Sequence, residues 1–183
     1  MPERSAVSST TQSGLPRDCE TQILGVAFFD LSRMPEWSSS EEDARVASFF
    51  QAFYSLASQH LKPAGGRIVK FMGDAGLVVF PKESTESAVF ALAALAEAAR
   101  GRALEFGLDT YLNVNVHVGP MLTGTFGPPG DERFDVIGKA VNIAARLGRR
   151  GITLSQQAFR CLSPEGRERF RKITPPVTYR LIS

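Results

Sequence analysis

Residues 67–80 read Arg67-Ile-Val-Lys-Phe-Met-Gly-Asp-Ala-Gly-Leu-Val-Val-Phe80. Two segments rich in strand-forming residues, 67–72 and 77–80, flank a glycine-containing turn. This pattern predicts a β-hairpin with Asp74 at its tip. Upstream, the apolar run Ile23-Leu-Gly-Val-Ala-Phe-Phe29 predicts a buried strand that ends at a second carboxylate, Asp30. The sequence therefore predicts two strands that each end at an aspartate.

The segments around these strands alternate between helical and extended patterns. Apolar spacing predicts helices over 40–61 and 84–100, and Ser40 with Asp43 is a candidate capping box for the first. Residues 112–118 alternate as in a half-buried strand, and a return strand is expected over 121–126. A helix over 139–147, a strand over 152–154, a helical segment over 155–170 and a last strand over 177–182 complete the prediction. Strands mixed with helices in this order predict an α/β sandwich with a mixed, largely antiparallel sheet.

Composition narrows the class of protein. A net charge of +2 over 183 residues gives no argument for a nucleic-acid or membrane partner. The two cysteines have no metal-type spacing, so we expect no disulfide and a cytoplasmic location. Residues 1–20 lack an apolar core and are expected to be a disordered tail, with one folded domain over 21–183.

The two aspartates are candidate metal ligands. Carboxylates at strand ends suit Mg²⁺, which binds a few carboxylates together with substrate phosphates. Taken singly, Asp30 and Asp74 are better explained as ordinary strand-end and turn residues, where aspartate is common. Their meaning therefore depends on the motifs around them.

Three motifs together carry a family resemblance. They are Phe28-Phe-Asp30, Ile68-Val-Lys-Phe-Met-Gly-Asp74 and Phe134-Asp-Val-Ile-Gly-Lys-Ala-Val-Asn-Ile-Ala-Ala-Arg146. In this order and at these intervals they resemble the class III adenylate/guanylate (nucleotidyl) cyclase catalytic domains, of the small stand-alone bacterial type. The resemblance covers residues 23–179 and implies a ferredoxin-like cyclase core.

The resemblance assigns roles to individual residues. Asp30 and Asp74 match the family's metal-binding aspartates, with the backbone of Leu31 beside them, and imply two Mg²⁺ or Mn²⁺ ions per site. Asn142 matches the residue that orients the ribose, and Arg146 the arginine that stabilises the phosphate in the transition state. Lying four apart, these two side chains are expected on one helix face.

Other matched residues concern the substrate. Arg171 looks like the basic residue that grips the terminal phosphates, with Lys172 as the alternative if the match slips by one position. Lys70 and Asp135 match the pair that reads the base. Lysine can donate to an adenine ring nitrogen and aspartate can accept from the exocyclic amine, so the sequence resembles an ATP-using member.

The loop after Asp30 departs from the family pattern. Family members usually have a Gly-Phe-Thr-like ending here, whereas this chain reads Leu31-Ser-Arg-Met-Pro35. Backbone amides of Leu31, Ser32 and Arg33 are expected to hold the triphosphate, because backbone contacts tolerate side-chain change. The Arg33 guanidinium is a candidate for an added phosphate contact or for an ordinary solvated loop arginine.

The resemblance implies a homodimer with shared active sites. One chain would supply Asp30 and Asp74, and its partner would supply Lys70, Asp135, Asn142 and Arg146. Two alternatives remain at this point. One is a pyrimidine cyclase that makes cUMP or cCMP, and the other is a catalytically silent cyclase-like domain that only binds a nucleotide or a partner.

Overall fold

The computed structural model describes residues 18–148 and 150–182 and gives eight strands and six α-helices among them. The strands are β1 (Glu20–Leu31), β2 (Arg67–Met72), β3 (Ala75–Pro81), β4 (Leu112–Phe126), β5 (Arg133–Ile137), β6 (Ile152–Ser155), β7 (Phe170–Ile173) and β8 (Thr178–Leu181). The helices are α1 (Met34–Ser38), α2 (Asp43–Leu61), α3 (Thr85–Glu105), α4 (Lys139–Ala144), α5 (Gln156–Arg160) and α6 (Pro164–Glu168). The tail prediction for residues 1–17 lies outside the described residues.

The strands form a single mixed sheet in the order β2-β3-β1-β4-β6-β8-β7, with β5 paired to β4. The β4–β6 pair is parallel, and the other recorded pairs are antiparallel. The predicted α/β class with a largely antiparallel sheet is confirmed. None of the helices in the described ranges combines the length and the apolar character that a bilayer span requires.

Two glycines fix the register of the central strands. Gly25 pairs with Phe80 and Gly76 pairs with Phe29 across β1 and β3. Each aromatic ring lies over its glycine, since an added Cβ would come within 1.9 Å of the Phe80 ring or 2.2 Å of the Phe29 ring. A one-residue slip would remove both contacts and turn Asp30 to the other face of the sheet.

Helices α2 and α3 cover one face of the sheet, which we call the α2/α3 face. Aromatic side chains of α2 belong to the core, since Phe49 and Phe53 are buried and the rings of Phe53 and Phe29 meet edge to face at 6.0 Å. Burying one such side chain contributes about 1.5–3 kcal/mol. The main core therefore lies on this side and holds β1 rigidly.

The opposite face, called here the α4 face, is only partly covered. Helix α4 packs over a small buried cluster whose members are Val26, Leu77, Val79, Met121, Val136, Ala140 and Ala144. Beside this cluster, Leu24, Phe28 and Phe134 are only partly buried. Asp30 shares this face, because side chains alternate along β1. An incompletely covered apolar surface therefore surrounds Asp30.

Strand β4 corrects the prediction of two strands separated by Gly119-Pro120. It runs unbroken from Leu112 to Phe126. Proline is tolerated because Pro120 lies between the stretch paired with β6, 114–116, and the stretch paired with β5, 122–126. On that side of β4 the missing N–H costs no ladder hydrogen bond.

Helix boundaries differ from prediction near the first aspartate. The predicted loop at 31–35 contains the start of α1, where Trp37 is buried against Phe49. The proposed capping box is wrong: α2 begins at Asp43, and the Ser40 hydroxyl donates to the Trp37 carbonyl at 2.8 Å. Ser40 therefore closes α1 and does not open α2.

Boundaries also differ near the C-terminus. The helix predicted over 139–147 ends at Ala144, and the segment 155–170 forms two short helices. The second of them, α6, is capped by the Ser163 hydroxyl, which accepts from Gly166 N–H. The edge strand β7 was not predicted, because its four residues are too short and too polar to show a strand pattern.

Candidate functional site

Asp30 and Asp74 lie next to each other at one end of the sheet. Asp30 is in β1, where it pairs with Ala75 of β3, and Asp74 occupies the turn between β2 and β3. The N–H of Leu31 donates to the Asp74 carbonyl at 3.2 Å, which joins the two segments. The fold thus brings together the two carboxylates that the sequence places 44 positions apart.

Burial raises the pKa of the Asp74 carboxyl above its ordinary value, and the negative charge of Asp30 raises it further, against a backbone hydrogen bond that lowers it. A bound cation would relieve this repulsion. No group of three or more His, Cys, Asp or Glu side chains suited to a metal occurs within residues 18–148 and 150–182. Two carboxylates and a nearby backbone carbonyl nevertheless fit Mg²⁺ or Mn²⁺, because such ions take further oxygens from substrate and water.

Two neighbours hold the acidic pair in place, and sequence reasoning missed both. Asn113 Nδ2 donates to Asp30 Oδ2 at 3.1 Å. Tyr54 donates its hydroxyl proton to the Gly73 carbonyl at 2.8 Å, and its ring stacks on Phe71 with centroids 4.0 Å apart. Both contacts depend on cross-strand and helix-to-turn placement, for which the sequence carries no direct signal.

The loop after Asp30 differs from the expected phosphate cradle. The amide of Leu31 is bonded to Asp74, and the amide of Ser32 donates to the Tyr111 carbonyl at 3.0 Å. Both donors are thus already used within the chain, and a triphosphate would have to displace these two contacts before the amides could hold it. Arg33 has φ 61° and its guanidinium donates to Asp109 at 2.9 Å.

Lys70 and Asp135 form an ion pair, with Lys70 Nζ donating to Asp135 Oδ2 at 2.5 Å. Their strands, β2 and β5, are not neighbours in the sheet, so the β4–β5 hairpin must curl back over the α4 face to meet β2. The Arg67 guanidinium lies 3.3 Å from the centre of the Phe134 ring and adds a second contact between the two strands. One chain thus presents a hydrogen-bond donor, Lys70, and an acceptor, Asp135, side by side, and both side chains are partly exposed.

Asn142 lies in α4, and Arg146 lies in the turn after it, where its N–H donates to the Ile143 carbonyl at 3.1 Å. The expectation of one continuous helix carrying both is therefore corrected, although both residues are exposed and lie four positions apart. Asn115 Nδ2 donates to the Gly148 carbonyl at 2.9 Å and so fastens this turn to β4.

Arg171 lies on β7, at the sheet edge opposite β2, and four strand steps separate it from β1. Strand spacing puts this separation at about 19 Å, so Arg171 and Asp30 of one chain do not meet. Arg171 pairs with Arg180 and Lys172 with Tyr179, so Arg171 and Lys172 point to opposite faces. Tyr179 packs on the α2/α3 core, which places Arg171 on the α4 face.

The polar residues of β4 are buried, which corrects the half-buried prediction for 112–118. Asn113, Asn115 and His117 are 7%, 6% and 4% exposed. His117 Nδ1 lies 2.9 Å from the Ser155 hydroxyl, and that hydroxyl also accepts from Ala158 N–H at the start of α5. His117 is thus a core residue.

We expect protonation of His117 to destabilise the fold. Burial lowers the pKa of His117 below its ordinary value of 6.5. Below pH 6.5 the unfolded chain binds a proton that the folded chain refuses, so the free energy of unfolding falls until pH passes below the folded pKa. In urea titrations from pH 7.5 to 5, His117→Gln should lose part of this fall. An identical pH dependence in His117→Gln and wild type would contradict the assignment.

The sequence model of the family described as "Adenylate and Guanylate cyclase catalytic domain" matches residues 18–174. An adenylate cyclase of Anabaena cylindrica is 25% identical over 135 residues, which are 69% of this chain and 27% of that protein. An uncharacterized protein of Mycobacterium tuberculosis is 30% identical over 159 residues, 82% of this chain and 29% of that protein. The chain thus spans less than a third of these relatives.

Solved structures show the same fold. The guanylyl cyclase Cya2 superposes with a TM-score of 0.79 at 17% identity, covering 90% of this chain and 93% of that one. The adenylyl cyclase CyaB from P. aeruginosa superposes with a TM-score of 0.75 at 20% identity, covering 91% and 96%. The same fold therefore occurs in a protein named as a guanylyl cyclase and in one named as an adenylyl cyclase.

Proposed function

This chain belongs to the class III adenylate and guanylate cyclase catalytic domains, and from that premise we propose that it converts ATP to 3′,5′-cyclic AMP and pyrophosphate. The observation that carries the proposal is the proximity of Asp30 and Asp74 at one end of the sheet, where their backbone segments are joined and the charge of Asp30 acts on the Asp74 carboxyl. A reducing cytoplasm is the proposed setting, since Cys19 and Cys161 are both free thiols.

Asp30, Asp74 and the backbone carbonyl of Leu31 are the groups that would hold two Mg²⁺ or Mn²⁺ ions. When bound, such ions lower the pKa of an attacking hydroxyl and neutralise departing phosphate oxygens. Asn113 keeps the Asp30 carboxylate oriented through its 3.1 Å hydrogen bond. Tyr54 restrains the turn that carries Asp74. The chain thereby supplies a preset acidic pair, which reduces the reorganisation needed when substrate arrives.

In the proposed reaction, the ribose 3′-hydroxyl oxygen bonds to the α-phosphorus of the same nucleotide. The bond between that phosphorus and the pyrophosphate oxygen breaks, and the hydroxyl proton leaves to water. Asn142 would orient the ribose, and the Arg146 guanidinium would stabilise negative charge on the α-phosphoryl oxygens. Arg146 is exposed at the end of α4, where it is accessible to a nucleotide.

Lys70 and Asp135 would read the base. Lys70 Nζ can donate to an adenine ring nitrogen while Asp135 accepts from the exocyclic amine. Their contact holds the donor and the acceptor side by side before a base arrives. Guanine would present a carbonyl to an acidic acceptor and a ring N–H to a cationic donor, so the pair favours adenine.

The proposed assembly is a homodimer that joins the two α4 faces. Large apolar side chains that remain exposed include Met72, Ile137 and Ile143, and burying them would favour association. Because Arg171 and Asp30 of one chain are about 19 Å apart by strand count, one triphosphate would contact Asp30 of one chain and Arg171 of its partner.

The base preference is tested with an equal mixture of ATP, GTP, CTP and UTP, with the products identified by mass spectrometry. We expect cyclic AMP to dominate and to disappear in EDTA. Dominant cUMP or cCMP would replace this proposal with a pyrimidine cyclase. Nucleotide binding without any cyclic product, with Mg²⁺ and with Mn²⁺, would indicate a catalytically silent domain.

A further inference from the structure

A row of polar side chains crosses the C-terminal half of the sheet on the α4 face. Asn115 of β4 pairs with Thr153 of β6, Thr153 pairs with Arg180 of β8, and Arg180 pairs with Arg171 of β7. Directly paired residues point to the same side of a sheet, so these four side chains form one continuous row. The turn that carries Arg146 lies over the start of the row, fixed by the bond from Asn115 to Gly148.

Hydrogen-bonding groups along this row lack partners. Within residues 18–148 and 150–182, five buried side-chain polar atoms make no hydrogen bond, and three of them are Asn115 Oδ1, Thr153 Oγ1 and Arg180 Nε. A fourth, Asn113 Oδ1, lies two residues from Asn115 on the same face. Buried polar groups are normally bonded, so the two amide oxygens, which are acceptors, indicate ordered solvent, whereas Arg180 Nε and the Thr153 hydroxyl can donate to a ligand.

The two arginines also lack an acidic partner. Neither Arg171 nor Arg180 forms a salt bridge in the described part of the chain. Like charges placed directly opposite each other on neighbouring strands are destabilising. An anion between the two guanidinium groups would remove this repulsion and occupy donors that the fold leaves free.

We propose that Arg180 is a further substrate-binding residue that forms, together with Arg171, a two-guanidinium clamp for the terminal phosphates of the nucleotide. The identity of the ligand as a nucleoside triphosphate rests on the proposed function, whereas the anion site rests on the paired Arg171 and Arg180 and the unpartnered Thr153 hydroxyl. Arg146, on the turn above, contacts the α-phosphate, and the clamp holds the phosphates that depart as pyrophosphate.

The clamp is tested by calorimetric titration of the full chain with inorganic tripolyphosphate in EDTA, so that metal at the aspartates plays no part. Arg180→Met and Arg171→Met should each weaken binding by about tenfold or more, since each removes a charge-assisted contact. Arg180→Lys should lie between Arg180→Met and wild type, because lysine keeps the charge but not the planar fork. No binding by wild type, or unchanged binding by Arg180→Met, would overturn the proposal.

Lys172→Met is the matched control. It removes one positive charge from β7, the strand of Arg171, but on the opposite face of the sheet from Arg171. The affinity for tripolyphosphate should therefore stay within about twofold of wild type. An equal loss in Lys172→Met would reduce the effect to net charge and refute the clamp. The two proposals can fail separately. If the arginine variants lost tripolyphosphate affinity, Lys172→Met kept it and the wild type had no cyclase activity, the proposed function would be rejected and the anion site would be supported.

Thermal unfolding separates binding from a structural role. Arg180→Met removes an unbonded buried donor and a like-charge neighbour, so without ligand its Tm should equal or exceed that of wild type. With ATP and Mg²⁺, its KM should rise at least about tenfold and inhibition by pyrophosphate should weaken in parallel. A Tm several degrees lower, with unchanged tripolyphosphate affinity, would make Arg180 a structural residue and reject the clamp.

Discussion

Asp74→Asn is expected to lower kcat by about a hundredfold to a thousandfold while leaving the fold intact. The change removes one of two carboxylates proposed to hold the ions, and asparagine is nearly the same size. It also removes the charge that burial and Asp30 disfavour at this position. The free energy of unfolding in EDTA should therefore stay level or increase. Initial rates with Mg²⁺ and with Mn²⁺, and denaturant titrations, are the measurements.

Asp131→Asn is the matched control for this experiment. Asp131 is an exposed aspartate in the loop before β5, where it contacts Arg133, so its loss should leave the rate unchanged. Wild-type turnover by Asp74→Asn would remove the proposed metal role. A rate lost together with stability would point to misfolding, and in that case Asp74→Glu, which restores the carboxylate, distinguishes the two causes by partial recovery.

Mixing two inactive variants, Asp30→Asn and Arg146→Ala, should restore activity. In a mixed dimer one site carries both lesions and the other carries neither. Random mixing in equal amounts gives half mixed dimers with one intact site each, so about a quarter of wild-type activity is expected. The measurement is the rate of the mixture after the two chains exchange partners.

A second mixture provides the control. Asp30→Asn with Asp74→Asn places both lesions in the acidic half of the site, so every site in every dimer keeps one lesion and no recovery is expected. Differently tagged chains that copurify would demonstrate that mixed dimers form. If they form and the first mixture stays inactive, the site is not shared in the proposed way.

The hairpin was predictable because its signal is local. Strand β2 begins and ends where the apolar run 67–72 indicated, and the turn at Gly73 and Asp74 follows from residue type alone. The continuity of β4 was not predictable, because tolerance of Pro120 depends on which strands lie beside it. Strand β7 was missed for a related reason: pairing with β8, not its own composition, makes it extended.

In the candidate site too, residues with a local sequence signal were predicted and residues placed by pairing between strands were not. Asp30, Asp74, Lys70 and Asp135 stood out by motif, and the fold places them in two close pairs. Asn113 was missed because the alternation along 112–118 predicted a half-buried strand, whereas the structure buries this side chain. Arg180 became visible only through the register that places it beside Arg171, since cross-strand neighbours cannot be read from chain spacing.

Strand β4 has a mechanical consequence. Near its beginning it supports Asp30 through Asn113, and near its end it pairs through Gly124 with Asp135. Because the strand is unbroken, it connects directly the residue proposed to help hold the ions with the residue proposed to help read the base. In a symmetric dimer, tilting one protomer against the other would displace both catalytic clefts by the same amount. Any signal that changes that tilt would act on the two clefts in unison.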